Sequence, residues 1–218
     1  MPHFNAHFAL GCATAGLAAA AGWIEPLAFG CRFPFVPWAY ALVPLLAVVV
    51  DFDYPLAAAL GTNNHRLLFT HSAWPGVIVL AAGAATGWVP LLLGGAALLA
   101  HVLLDAVDWG TNLLGDGKIR GPQLLYDVPP GELEGTLAKL EKPRCYFTRR
   151  WYEDRRTQAL ELACLAAFVT AGVACGSPAA YFLLYFPPYA AFFAAHFAEY
   201  LQCRKNDTRG PRRGRVGD

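Results

Sequence analysis

Residues 89–108 read VPLLLGGAALLAHVLLDAVD. Twelve positions without a charged or hydrogen-bonding side chain lead into His101, Asp105 and Asp108. Twenty residues of α-helix rise about 30 Å, the thickness of a bilayer's hydrocarbon core. Spacings of four and then three residues put the three polar side chains on one helical face. Histidine and aspartate are costly at the end of such a run, and a site or a set of buried partners is the usual reason they occur there. The stretch predicts a membrane-crossing helix that carries functional groups at one end.

The rest of the chain agrees with that reading. Apolar residues make up 56% of the 218 positions and charged residues 15%. Soluble domains average roughly 45–50% apolar with glycine included and about a quarter charged. A soluble protein with so few charges would lack the polar surface to cover itself, so an all-α, polytopic membrane bundle is expected. Apolar runs near 7–23, 37–51, 70–88, 89–108, 158–175 and 179–200 give about six transmembrane helices, or five if the first segment is re-entrant. Lysine and arginine accumulate on the cytoplasmic side of a membrane protein. With six crossings and a cytoplasmic start, Arg66, nine cations between Lys118 and Arg156 and six between Arg204 and Arg215 lie inside, and only Arg32 lies outside. This predicts an integral plasma (inner) membrane protein with both termini cytoplasmic.

The organisation expected is a four-span N-terminal part (1–110), a cytoplasmic basic and aromatic loop (111–157), two further spans (158–201) and a disordered basic tail (202–218). The loop carries turn signals in GDGKIRGP and DVPPGE. Its end, KPRCYFTRRWYEDRR, alternates cations with aromatic rings, which suits either a surface among anionic headgroups or a solvated charged helix. None of the six cysteines has Cys-x-x-Cys spacing, and they are read as small buried apolar residues. The opening 22 residues lack the positive start of a signal peptide and are expected to stay in the mature protein.

On this map His3 and His7 begin the first span, Asp51 and Asp53 end the second, His65 and His71 precede or open the third, and His101, Asp105 and Asp108 end the fourth. All stand at the cytoplasmic ends of their helices, so four elements distant in sequence bring imidazoles and carboxylates to one level. Two ligands from one helix, three or four residues apart, are a common way to hold a metal in a bundle. Pro55 biases Tyr54 out of helical conformation, so the chain is expected to break there and turn both Asp51 and Asp53 inward. HRLLFTHS, residues 65–72, reads as a loop that delivers His65, Arg66 and His71 to the mouth of the bundle.

The candidate metal ligands are His7, Asp51, Asp53, His65, His71, His101 and Asp105. Asp51, Asp53 and Arg66 are the candidate catalytic residues, the carboxylates as proton acceptors and the guanidinium as a phosphate holder. Mixed imidazole and carboxylate donors suit zinc first, with manganese or iron as alternatives, and the number of candidates allows one or two ions. Thr70 and Ser72 are read as supports for the ligands or as helix caps, Asp108 as a helix-end group, and His196 as a hydrogen-bonded interior residue. His3 stays open between a ligand and a surface residue.

Four pieces, AHFALG around His7, DFD with Asp51 and Asp53, HRLLFTHS, and HVLLDAVDWGTNLL from His101, resemble in order the membrane-bound metal-dependent hydrolases of the YdjM type, also described as LexA-binding inner-membrane hydrolases. The resemblance covers roughly the first 115 residues and implies a helical membrane protein with a metal site built from these motifs. The reading that results is a membrane-embedded metal-dependent hydrolase cleaving a phosphoester of a lipid or phosphorylated amphiphile at the cytoplasmic headgroup level. Membrane lipid is the expected partner, and no direct nucleic-acid binding is expected. The competing readings are a metal-binding membrane transporter and a non-catalytic scaffold that recruits a soluble partner.

Overall fold

The computed structural model describes residues 4–25, 38–62, 64–123 and 143–207. His3, Arg32, the DVPPGE turn and residues 208–218 of the expected tail lie outside the described residues. Of Asp108 only the backbone is described.

The described chain is helical, with an isolated antiparallel bridge between Thr111 and Arg120 as its one extended pairing. Helix α1 is Phe4–Ala20 and α2 is Trp38–Val49. A 3-10 turn at Val50–Phe52 leads to the short α3, Tyr54–Ala59. Two further 3-10 turns, His65–Leu67 and Phe69–His71, lead to α4, Ala73–Thr86, and α5, Val89–Asp108. Then follow α6, Pro143–Glu153, α7, Arg155–Ala174, and α8, Pro178–Asp207. The last helix therefore carries residues 202–207, expected as the start of the tail.

Helix α1 is the hub, packed on α2, α5, α7 and α8. Twelve of its 17 residues are buried. Its alanines and glycines explain how so many neighbours fit, because small residues let helix backbones approach closely. A Cβ on Gly11 would stand 2.8 Å from the Cα of Pro44, and one on Gly16 would stand 2.8 Å from the Tyr181 ring. Helices α4 and α5 pair in the same way. Gly87 ends α4 in left-handed conformation at φ 68°, and Pro90 falls in the first turn of α5. A Cβ on Gly95 would lie 2.5 Å from the Leu80 backbone nitrogen, and one on Gly83 equally close to that of Leu92.

This packing carries a test. Gly95→Ala pushes a methyl group against main chain, which cannot rotate away. Gly94→Ala meets mainly the end of the Leu46 side chain, which can. The first variant is expected to lose about 1–3 kcal/mol, as in other overpacked cores. The second should lose clearly less, both read as melting temperature in detergent.

The six expected crossings are not supported. Among the described residues three helices are long and apolar enough to cross a membrane: Trp38–Ala59, taken through the 3-10 turn, Val89–Val107 and Arg155–Ala174. Helix α4 is apolar but has 14 residues, or about 21 Å, short of the ~30 Å core. Helix α1 is enclosed by its neighbours, so its sequence is selected for smallness rather than for lipid. Helix α8 is long, but Pro187, Pro188, His196 and Glu199 dilute its apolar character. Large apolar side chains on the outer faces, among them Leu45, Leu162, Val173 and Leu183, are exposed in the isolated chain, as lipid-facing positions would be.

The reading of the cysteines needs one correction. Cys12, Cys164 and Cys175 are free and buried, as expected, but Cys145 of α6 and Cys203 of α8 form a disulfide across 58 residues. Nothing in their local spacing marks the pair, because the contact is made by two helices meeting.

Candidate metal centre

The polar side chains of the N-terminal half gather at one end of the bundle. His7 comes from the first turn of α1, Asp51 from the 3-10 turn after α2, His65 and His71 from the loop, and His101 and Asp105 from the last two turns of α5. All six are buried, His71, His101 and Asp105 completely. The break near Pro55 begins earlier than the sequence suggests, at Val50, but it has the expected result: Asp51 and Asp53 both face the loop histidines.

At the centre stand four atoms. His71 Nε2 lies 3.9 Å from Asp51 Oδ1 and 3.7 Å from Asp105 Oδ2, and His101 Nε2 lies 3.8 and 3.4 Å from the same two oxygens. These distances are too long for good hydrogen bonds. They are close to the separation of about 3.3 Å between neighbouring ligand atoms in a tetrahedral zinc site with ~2.0 Å bonds. His7 adjoins the centre, with Nε2 3.2 Å from Asp105 Oδ1 and its ring stacked on His101 at 3.7 Å between centroids. Among the described residues two groups have ligand atoms all within 4.8 Å of one another: His7, Asp51, His101 and Asp105 in one, Asp51, His65 and His71 in the other. Asp51 belongs to both.

The surrounding bonds decide which nitrogens face inward. His101 Nδ1 donates to the Ala47 carbonyl at 2.6 Å, which leaves its Nε2 as an acceptor aimed at the centre. Asp53 accepts from His65 Nδ1 at 3.0 Å and from His71 Nδ1 at 2.8 Å, and Thr70 donates its hydroxyl to the same carboxylate. Asp53, expected as a ligand, therefore stands outside both metal-capable groups and orients two histidines, the arrangement typical of carboxylates behind metal-binding imidazoles. Arg66, expected to hold a phosphate, instead places Nη2 2.8 Å from Asp105 Oδ1 and Nη1 near the carbonyls of Asp105 and Gly110.

Burial works against charge on the two loop histidines. At His65 it outweighs the Asp53 bond and holds the ring below its ordinary pKa. At His71 burial acts in the same sense, but Asp51, Asp53 and Asp105 overcome it and lift the ring above its usual value. A cation at the centre would take the place of that proton among the carboxylates.

The loop itself is braced by groups that the sequence alone did not single out. Thr111 donates its hydroxyl to the His71 carbonyl at 2.7 Å, and the Asn112 amide donates to Leu67 O at 2.8 Å. Their only signal is position, two polar residues directly after the α5 motif. Ser72 caps α4 by accepting from the Trp74 N–H, and His196 lies elsewhere, its Nδ1 3.0 Å from the Tyr152 hydroxyl.

The fit to a cation rests on atoms left over. Asp51 Oδ2, His71 Nε2, His101 Nε2 and Asp105 Oδ2 are out of contact with solvent and have no hydrogen-bond partner. Buried polar atoms without partners are rare in folded proteins, and each calls for a reason. Cations held by the two groups, one with His101 and Asp105 and the other with His71, would give these nitrogens and oxygens partners. No known protein family, curated protein or solved structure matches this chain. The geometry must therefore carry the functional reading alone.

Proposed function

We propose that the buried layer binds a divalent cation, zinc first with manganese or iron as alternatives, as one or two ions, in a membrane-embedded hydrolase that cleaves a phosphoester of a lipid or phosphorylated amphiphile. Kinship with the YdjM-type hydrolases, suggested by the four motifs, belongs to the same proposal. The observation that carries it is the pair of buried groups that share Asp51, with His7, His101 and Asp105 in one and His65 and His71 in the other, each with ligand atoms within 4.8 Å of one another. His7 and His65 flank the centre as further ligands. When bound, such an ion supplies Lewis acidity toward a phosphoryl oxygen and makes water a nucleophile at neutral pH. Asp51 would accept the proton released by the attacking water through the carboxylate oxygen that does not hold the ion. Asp53 holds His65 and His71 in register, and Arg66 fixes Asp105.

The surroundings of the site favour a lipid-like substrate. Phe52, between the two aspartates, is 61% exposed, and Phe69, beside Thr70, is 54% exposed, with Leu56 and Leu60 near them in sequence and also exposed. Apolar side chains at that density suit an acyl environment better than bulk water. The concentration of lysine and arginine in the segments assigned to the site's side supports a cytoplasmic position for this end. Conduction is less well supported, because the buried polar residues of α1, α2 and α5 stand at one end and the opposite halves are apolar.

The test uses purified protein in detergent or nanodiscs, with metal content measured first and phosphate release from phosphodiesters and phospholipids second. Stoichiometric metal with chelator-sensitive turnover is the expected result. Stoichiometric metal without turnover would favour metal handling, and absence of metal would make the layer structural.

A further inference from the structure

We propose that the Cys145–Cys203 disulfide is a reversible clamp, and that closing it tightens the metal centre. The inference rests on the metal reading above and adds a mode of control to it.

The pair sits at the same end of the bundle as the His/Asp layer. Cys203 lies near the end of α8, whose Phe192 packs edge-on against Phe4 at 4.3 Å and against Phe8 at 5.5 Å, at the start of α1. Cys145 is the third residue of α6. Two residues on, Phe147 stands edge-on to Trp109 at 4.3 Å, and Trp109 is buried. Trp109 begins the chain segment that fixes the site. The N–H groups of Trp109 and Gly110 donate to the Asp105 carbonyl at 3.2 and 2.9 Å, and the Gly110 carbonyl receives Arg66. Arg66 in turn grips Asp105 Oδ1. A continuous set of contacts thus runs from the sulfur pair through α6 and Trp109 to a proposed metal ligand.

Two observations together call for reversibility. The cation distribution favours a cytoplasmic position for this end, a compartment in which thiols are kept reduced. The two cysteines are nevertheless in bonding register, with Cα atoms 5.2 Å apart. Cys145 is only partly buried, so a small disulfide can reach it, while Cys203 is buried. Oxidised glutathione serves as the oxidant. The Cys145 thiolate attacks one of its sulfurs and expels glutathione thiolate, and the Cys203 thiolate then displaces the second glutathione from Cys145. Two protein thiols become one disulfide, one glutathione disulfide becomes two thiols, and the two protons go from the protein to the leaving thiolates. When the bond is open, α6 stays on α8 through Tyr152–His196 and Thr148–Glu199 contacts nearer its C-terminus. Its N-terminal turns lose their covalent tether and press less firmly on Trp109.

Metal-loaded protein equilibrated in oxidised or in reduced glutathione provides the test. Mass spectrometry after alkylation gives the state of the pair, and transfer of metal to excess chelator gives the off-rate. The oxidised form should show two fewer reactive thiols and release metal on the order of tenfold more slowly, within the usual range of coupling between sites. Cys145→Ser should release metal at the reduced rate in both buffers. Trp109→Leu should keep the bond but bring the two rates together. Equal off-rates in forms verified as closed and open, or a pair that does not close in oxidised glutathione, would overturn the clamp. A protein that never holds metal would refute the metal reading instead. In that case hydrogen exchange at residues 105–112 still decides the clamp, which requires slower exchange in the oxidised form.

Discussion

Asp51→Asn should strip the protein of metal and of turnover together. The substitution keeps the shape of the side chain, so packing around α2 and α5 is undisturbed. It removes the charge of the one residue shared by both metal-capable groups. It also puts amide character within 4 Å of His71 Nε2 and His101 Nε2, the nitrogens left facing the centre while the Nδ1–H groups donate to Asp53 and to the Ala47 carbonyl. Loss of a carboxylate behind a metal-binding histidine typically lowers affinity about 10–100-fold, and loss of a direct ligand should exceed that range. Turnover should fall by at least about 10³-fold, the upper range for one electrostatic group at a reacting centre. Folding without metal should be unharmed, since one of two neighbouring buried carboxylates has been neutralised. Metal content by mass spectrometry is the deciding measurement, with His196→Ala as the control that keeps its metal. Equal metal in the Asp51 variant and the parent would remove the basis for the site.

What could be read from the sequence follows from what kind of contact each feature depends on. HVLLDAVD disclosed its geometry because a helix fixes the relation of i to i+4, and His101 and Asp105 do meet the same centre. HRLLFTHS was legible as a delivery loop because histidines six positions apart share no helical face, and the two 3-10 turns agree with that. The number of spans was not legible. Hydropathy counts apolar atoms but does not report which faces are covered by other helices, and α1 and α8 are built for neighbours as much as for lipid.

The division of labour among the carboxylates was hidden for a related reason. Asp51 and Asp53 are chemically identical and two residues apart, and only the course of the chain through Val50–Phe52 sends one to the centre and the other to the outer nitrogens of His65 and His71. The Cys145–Cys203 contact was equally out of reach, since it depends on where α6 lands on α8.

Arg66→Met separates two roles that the sequence left together. A guanidinium that holds substrate phosphate can be lost with metal content intact and a raised KM. A guanidinium that holds Asp105 cannot. Arg66 Nη2 lies 2.8 Å from Asp105 Oδ1, with the aspartate wholly buried and the arginine side chain 12% exposed. Breaking a buried pair by removing one partner costs about 3–5 kcal/mol, because the remaining charge has no compensation. Methionine keeps much of the length and apolar contact of the arginine stem, so the loss should report the charge rather than a cavity. The metal-free variant should therefore melt well below the parent. Added metal should recover part of the difference, since the cation takes over the compensation of Asp105. The metal off-rate should rise, and turnover should fall through kcat at a given free metal concentration. A variant with full metal retention, unchanged stability and a raised KM alone would return Arg66 to the substrate and leave Asp105 to be fixed by His7, His101 and the metal.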